Sequence, residues 1–103
     1  MITEEMIKNV FMEKANSFNL NNRKKWCPIG FGPIVATNAG DNEAYVLIYD
    51  TNAAKDMHQA DMLKSKPICE ETLDADKWQY QLWEKHSDLI CKEINKWFKK
   101  FCN

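Results

Sequence analysis

The chain has no apolar run approaching the roughly 20 residues needed to cross a bilayer, so no membrane-spanning helix is expected. It also has no internal repeat, low-complexity tract or linker, which leaves residues 1–103 as a single domain. A surplus of one charge is missing too. The net charge is −1, and the field of the whole molecule gives no push toward nucleic acid or an anionic membrane. Met1 to Met12 carries Glu4 and Glu5 where a signal peptide carries bases, so the expected location is the cytoplasm, of the producer or of a host cell. In that compartment Cys27, Cys69, Cys91 and Cys102 are expected as free thiols rather than a disulfide framework.

Signatures of chemistry are equally sparse. Trp26-Cys27-Pro28 has the first half of a thiol–disulfide site, but position 30 is Gly30, where the second cysteine would stand. Arg23, Lys24 and Lys25 lie just upstream. Nearby cations lower a thiol's pKa, which makes Cys27 the candidate reactive thiol. Gly30-Phe31-Gly32 is too short for a phosphate loop and lacks its Lys-Ser/Thr ending. Asp56, His58 and Asp61 could face a cation, with His58 and Asp61 on one side of a helix, but the sequence supplies no obvious remainder of a ligand set, and Cys69 and Cys91 fit no zinc pattern. His86 sits near the middle of an apolar helix face. Glu93 lies seven residues on, too far to orient it along one helix. No catalytic residue, metal site or cofactor is assigned on these grounds.

What the chain does have is alternating segments of clear type. Thr3 to Phe18 has the spacing of an amphipathic helix: Met6, Ile7, Val10, Phe11, Ala15 and Phe18 fall on one face. Thr3 serves as N-cap, with Ile2 stapled onto Ile7. Asn19 to Lys25 ends that helix, and Trp26 to Pro33, with two prolines, suits an ordered loop or an irregular edge strand. Ile34–Thr37 and Ala44–Asp50 are strands joined by a turn-rich loop, a β-hairpin. Tyr45 to Tyr49 is almost continuously apolar, so both faces of that strand need cover. Thr51 to Lys64 fits a short helix through Met57, Ala60 and Leu63, and Ile68–Thr72 an extra turn before the last helix. The fold class is therefore α+β: helix, β-hairpin, short helix and a long C-terminal helix packed on a small antiparallel sheet.

The long helix, Leu73 to Cys102 with Asp74 as N-cap, is the densest feature. It carries Trp78, Trp83 and Trp97 together with Tyr80, Leu82, Leu89, Ile90, Ile94, Phe98 and Phe101. On a helical wheel these positions cover an arc of about 220°, where one core-facing stripe needs about 100°. The surplus suggests a contact surface made of Trp83, Ile90, Trp97 and Phe101, extended by Trp26 and Phe31. Tryptophan is enriched at the energetic centres of interfaces.

The function this points to is a non-enzymatic protein-binding module, a stoichiometric inhibitor, immunity factor or phage counter-defence protein that blocks its partner sterically. Its expected partner is another protein. The acids Asp74 and Asp76 at the start of the long helix argue against nucleic acid. The alternatives are a small thiol-dependent or acid–base enzyme using Cys27 with His58 or His86, and a homodimer in which the apolar arc meets its own copy.

Overall fold

A computed structural model describes residues 2–30, 34–55 and 66–101, with the side chains of Lys55 and Phe101 excepted. The expected helical stretch through Met57, Ala60 and Leu63, and the residues Phe31, Asp56, His58 and Asp61, lie outside the described residues.

Helix α1 runs Glu4–Asn21. Its start follows from the sequence: Met6 N–H donates to Thr3 Oγ1 at 3.2 Å, and Glu4 and Glu5 complement the positive end of the helix dipole. It buries Ile7, Phe11, Ala15 and Phe18, while Met6 and Val10 flank that stripe in solvent. The buried stripe is thus narrower than the sequence suggests, because one helix neighbour and one sheet face suffice to cover it.

Four strands follow in a meander of order β1–β2–β3–β4, every neighbour antiparallel. Strand β1 is the short piece Cys27–Pro28, an irregular edge strand on which Pro28 is tolerated. Strands β2 (Val35–Ala39) and β3 (Glu43–Ile48) form the expected hairpin, pairing Val35 with Ile48 through Ala39 with Ala44. Strand β4 (Cys69–Asp74) pairs along the far side of β3, from Ile48 with Cys69 to Glu43 with Asp74.

This last strand corrects the expectation of a helical turn at Ile68–Thr72 and of a helix beginning at Leu73. The adjacent Glu70 and Glu71 mask a period-2 pattern in which Leu73 is buried and Cys69 and Glu71 are half-buried, while Glu70, Thr72 and Asp74 are exposed. Asp74 does not cap the helix. It ends the strand, and its Oδ1 accepts from Asp76 N–H at 2.9 Å in the turn that follows. Between β3 and β4 lies the short helix α2 (Thr51–Lys55), and after β4 comes α3 (Trp78–Phe101).

One face of the sheet, through Val35, Ala39, Ala44, Val46, Ile48 and Leu73, shares a core with α1 and α3. Phe11 meets Trp78 edge-on with ring centroids 6.1 Å apart, and its ring centroid lies 5.8 Å from that of Trp83. The opposite face has its own smaller cluster of Ala36, Leu47 and Tyr49, with Trp26 packed against it. The inner face of β3 is fully covered, and the outer face is covered at Leu47 while Tyr45 stays exposed.

Most of the wide apolar arc of α3 packs within the chain among the described residues, with Tyr80 left exposed. The helix is broken at His86, whose φ of −132° and ψ of 20° are not helical. A wheel drawn through a straight helix therefore merges the faces of two segments. Trp78, Leu82 and Trp83 serve the first segment, and Ile90 and Ile94 the second. Thr51, at the start of α2, is bonded to Glu93 of α3, which gives the second segment a further neighbour.

Candidate functional site

The described residues among those expected to form a contact surface are not brought together. Ile90 is fully buried and Trp83 is 9% exposed, so both belong to the core, which corrects their assignment to an exposed face. Trp97 is half-buried against that same core, whereas Trp26 packs on the opposite face of the sheet. Phe31 and the Phe101 side chain lie outside the described residues. Cys27 is half-buried in β1 and packs on the core. Among the described residues no histidine bonds to it, and His58 is outside them.

Chemistry-bearing groups gather instead at the seam between β4 and α3. Cys69 and Glu71 stand two residues apart on β4, so the strand's alternation turns both to the face that α3 covers. The break in α3 falls at His86, whose ring meets them. His86 Nε2 lies 3.5 Å from Cys69 Sγ and 3.0 Å from Glu71 Oε1, while Nδ1 is 4.0 Å from the sulfur. The other carboxylate oxygen, Glu71 Oε2, is 3.4 Å from Lys85 Nζ.

The electrostatics follow from this geometry. The hydrogen bond from His86, helped by Lys85 and opposed by partial burial, holds the Glu71 carboxyl below the usual range. Burial pushes the Cys69 thiol up, and the charges of Glu71 and Glu70 push it further against the opposing pull of Lys85. Cys69 is therefore a thiol near neutral pH, not an activated thiolate.

The arrangement also departs from a nucleophilic triad. In a triad the acid orients one ring nitrogen while the other faces the nucleophile. Here the same nitrogen, Nε2, faces both the sulfur and the carboxylate. Glu93 does not orient His86; its carboxylate serves Thr51 and Lys96.

Beside this cluster, β4 is an edge strand. Ala75 N–H donates to Asn42 O at 3.1 Å, which makes 42/75 a bonded pair. Alternation then turns the main-chain groups of Ala44, Val46 and Ile48 toward Leu73, Glu71 and Cys69. The N–H and C=O groups of Glu70, Thr72 and Asp74 consequently point away from the sheet. Asp74 N–H is taken by Gln81 Oε1 at 3.0 Å. Those of Glu70 and Thr72 have no backbone partner among the described residues.

A hollow flanks each side of this edge. One, of about 770 Å³, lies between β4 and α3 and is lined by Glu43, Thr72, Asp74, Gln81, Glu84 and Lys85 among others. The other, of about 390 Å³, lies on the outer sheet face, with Trp26, Tyr45, Leu47, Glu70 and Thr72 among its walls. Carboxylates outnumber cations in both, and Lys85 is already paired with Glu71.

Comparison with protein-family models, with curated proteins and with solved structures finds no match. The seam was hidden in the sequence because its members come from two elements, and because Cys69–Asp74 is a strand rather than a turn leading into the helix. The available signal was Cys69-Glu70-Glu71-Thr72-Leu73 taken with period 2, which puts Cys69, Glu71 and the apolar Leu73 on one face.

Proposed function

We propose that the protein is a non-enzymatic binding module that takes up an extended, basic segment of a partner protein by strand addition along β4. The observation that carries this reading is the edge at Glu70 and Thr72, unpaired among the described residues, with a hollow on either side. In strand addition the main chain supplies affinity, and alternate side chains fall into pockets on opposite faces. Successive side chains of an added strand would enter the α3 hollow and the Trp26–Tyr45 hollow by turns. Lysine or arginine in the first would meet Glu43, Asp74 and Glu84, and in the second Glu70.

The same acids oppose self-association at this edge. Two copies of β4 laid antiparallel about Thr72 would set Glu70 of each copy against Asp74 of the other, and facing like charges on neighbouring strands are destabilising. A module of this kind acts stoichiometrically, by occupying a segment its partner needs, which suits an inhibitor or immunity protein.

The test is selection of random heptapeptides displayed on phage against the folded chain, followed by titration of synthetic winners. Peptides with lysine or arginine at alternate positions between β-formers are expected. Thr72→Pro should weaken their binding about tenfold or more by removing an outward N–H and blocking the edge. The substitution removes no bond to β3, and circular dichroism checks that the sheet persists. Glu84→Lys should also weaken binding, whereas Leu20→Asp, at an exposed site on α1, should not. Winners without the basic alternation, or binding indifferent to Thr72→Pro, would overturn the proposal.

A further inference from the structure

We propose, independently of strand addition, that Cys69 Sγ, Glu71 Oε1 and His86 Nε2 form a three-ligand site for a divalent transition metal, with zinc the natural occupant. The donor atoms of all three residues lie within 4.8 Å of one another and are half-buried. Zinc bonds of about 2.3 Å to sulfur and about 2.0–2.1 Å to imidazole, set at a tetrahedral angle, place sulfur and nitrogen about 3.5 Å apart. The observed Sγ to Nε2 separation is 3.5 Å. The same construction puts nitrogen and carboxylate oxygen about 3.3 Å apart, against 3.0 Å here, and sulfur and carboxylate oxygen about 3.6 Å apart, an edge that lies within 4.8 Å here and closes by side-chain rotation.

The hydrogen-bond pattern supports the same conclusion. One ring nitrogen carries at most one proton, yet Nε2 faces two groups rich in lone pairs. A cation placed among the three donors satisfies all of them together. The set of thiolate, imidazole and carboxylate favours zinc over magnesium or calcium, which prefer all-oxygen shells. Lys85 Nζ, on the second carboxylate oxygen, leaves Oε1 turned toward the centre, as outer-shell partners do at metal sites.

On binding, the Cys69 S–H bond breaks and its proton passes to solvent as the sulfur–zinc bond forms. His86 binds as the neutral ring, protonated at Nδ1. No electron is transferred. The three ligands leave a fourth position for water or for a side chain from outside. Structurally, the metal would clip the edge strand β4 to the break in α3.

The test is titration of the reduced, tag-free chain with cobalt(II), then displacement by zinc. One equivalent of cobalt should bring up a thiolate-to-cobalt charge-transfer band in the near ultraviolet that zinc abolishes. Cys69→Ser should remove that band, while serine at Cys27, Cys91 or Cys102 should leave it intact. Outer-shell partners contribute about 10–100-fold to metal affinity, so Lys85→Met should weaken binding about tenfold, and His86→Gln or Glu71→Gln more than about 100-fold.

A second measurement needs no variant. With zinc bound, Cys69 in the unmutated chain should be protected from iodoacetamide, while labelling of Cys27 and Cys91 is unchanged by the metal. Absence of a one-equivalent band, survival of the band in Cys69→Ser, or a Cys69 alkylated equally fast with and without zinc would each overturn the assignment.

Discussion

Glu93 is a buried carboxylate, 2% exposed, and replacing it tests how α2 is held to the rest of the fold. Its Oε1 accepts from Thr51 N–H at 2.9 Å and lies 3.1 Å from Thr51 Oγ1, which itself donates to Glu93 O at 2.7 Å. Oε2 lies 3.1 Å from Lys96 Nζ. The first N–H of α2 is thus capped by a side chain from another helix.

Glu93→Ala leaves that N–H buried without an acceptor, at a cost of about 1–3 kcal/mol. Loss of one buried methylene adds about 0.8 kcal/mol. The ion pair adds little, because Lys96 is half in solvent, with 51% of its side chain exposed. The expected loss is about 2–4 kcal/mol, or a fall in Tm of roughly 10–25 °C for a domain of this size. Glu93→Gln keeps a neutral acceptor and should cost only about 1 kcal/mol, the difference between a charged and an uncharged hydrogen bond. Urea melts followed by tryptophan fluorescence give both values, and the Thr51 amide resonance reports the contact directly. An alanine variant within about 0.5 kcal/mol of the parent would refute the reasoning. So would a glutamine variant as damaging as alanine, which would assign the effect to charge rather than to capping.

The positions moved from surface to core make a second prediction. Trp83→Ala should cost about 3–5 kcal/mol and Ile90→Ala about 2–5 kcal/mol in urea melts, so that any loss of binding tracks loss of fold. At the α1–α3 junction Trp78 Nε1 donates to Asn19 Oδ1 at 2.7 Å. Asn19→Ala should cost about 1–3 kcal/mol by orphaning the indole N–H, and an unchanged melting curve would show that water replaces the amide.

The order of the elements was legible wherever local signals were strong. Thr3 capped the helix it was expected to cap, and the turn residues from Gly40 to Asn42 closed the expected hairpin. The continuous run Tyr45 to Tyr49 implied cover on both faces, and the second cover turned out to include Trp26 of the same chain. Strand β4 was not legible, because Glu70 and Glu71 side by side resemble the acidic entry to a helix. Their strand conformation comes from pairing with β3, a contact made across the intervening α2 segment. The width of the α3 face misled for a related reason: a helical wheel assumes a straight axis, and the break at His86 lies outside that assumption.

By itself the sequence determined the parts: an amphipathic first helix, a hairpin of β-formers, a tryptophan-rich last helix, and an α+β class. Period and capping act over a few residues, so they are written locally. Tertiary structure alone decided which apolar side chains were core, that β4 would be an edge, and that Cys69, Glu71 and His86 would meet. Those outcomes depend on strand register and on where one helix breaks, and both are set by distant packing rather than by neighbours in the chain.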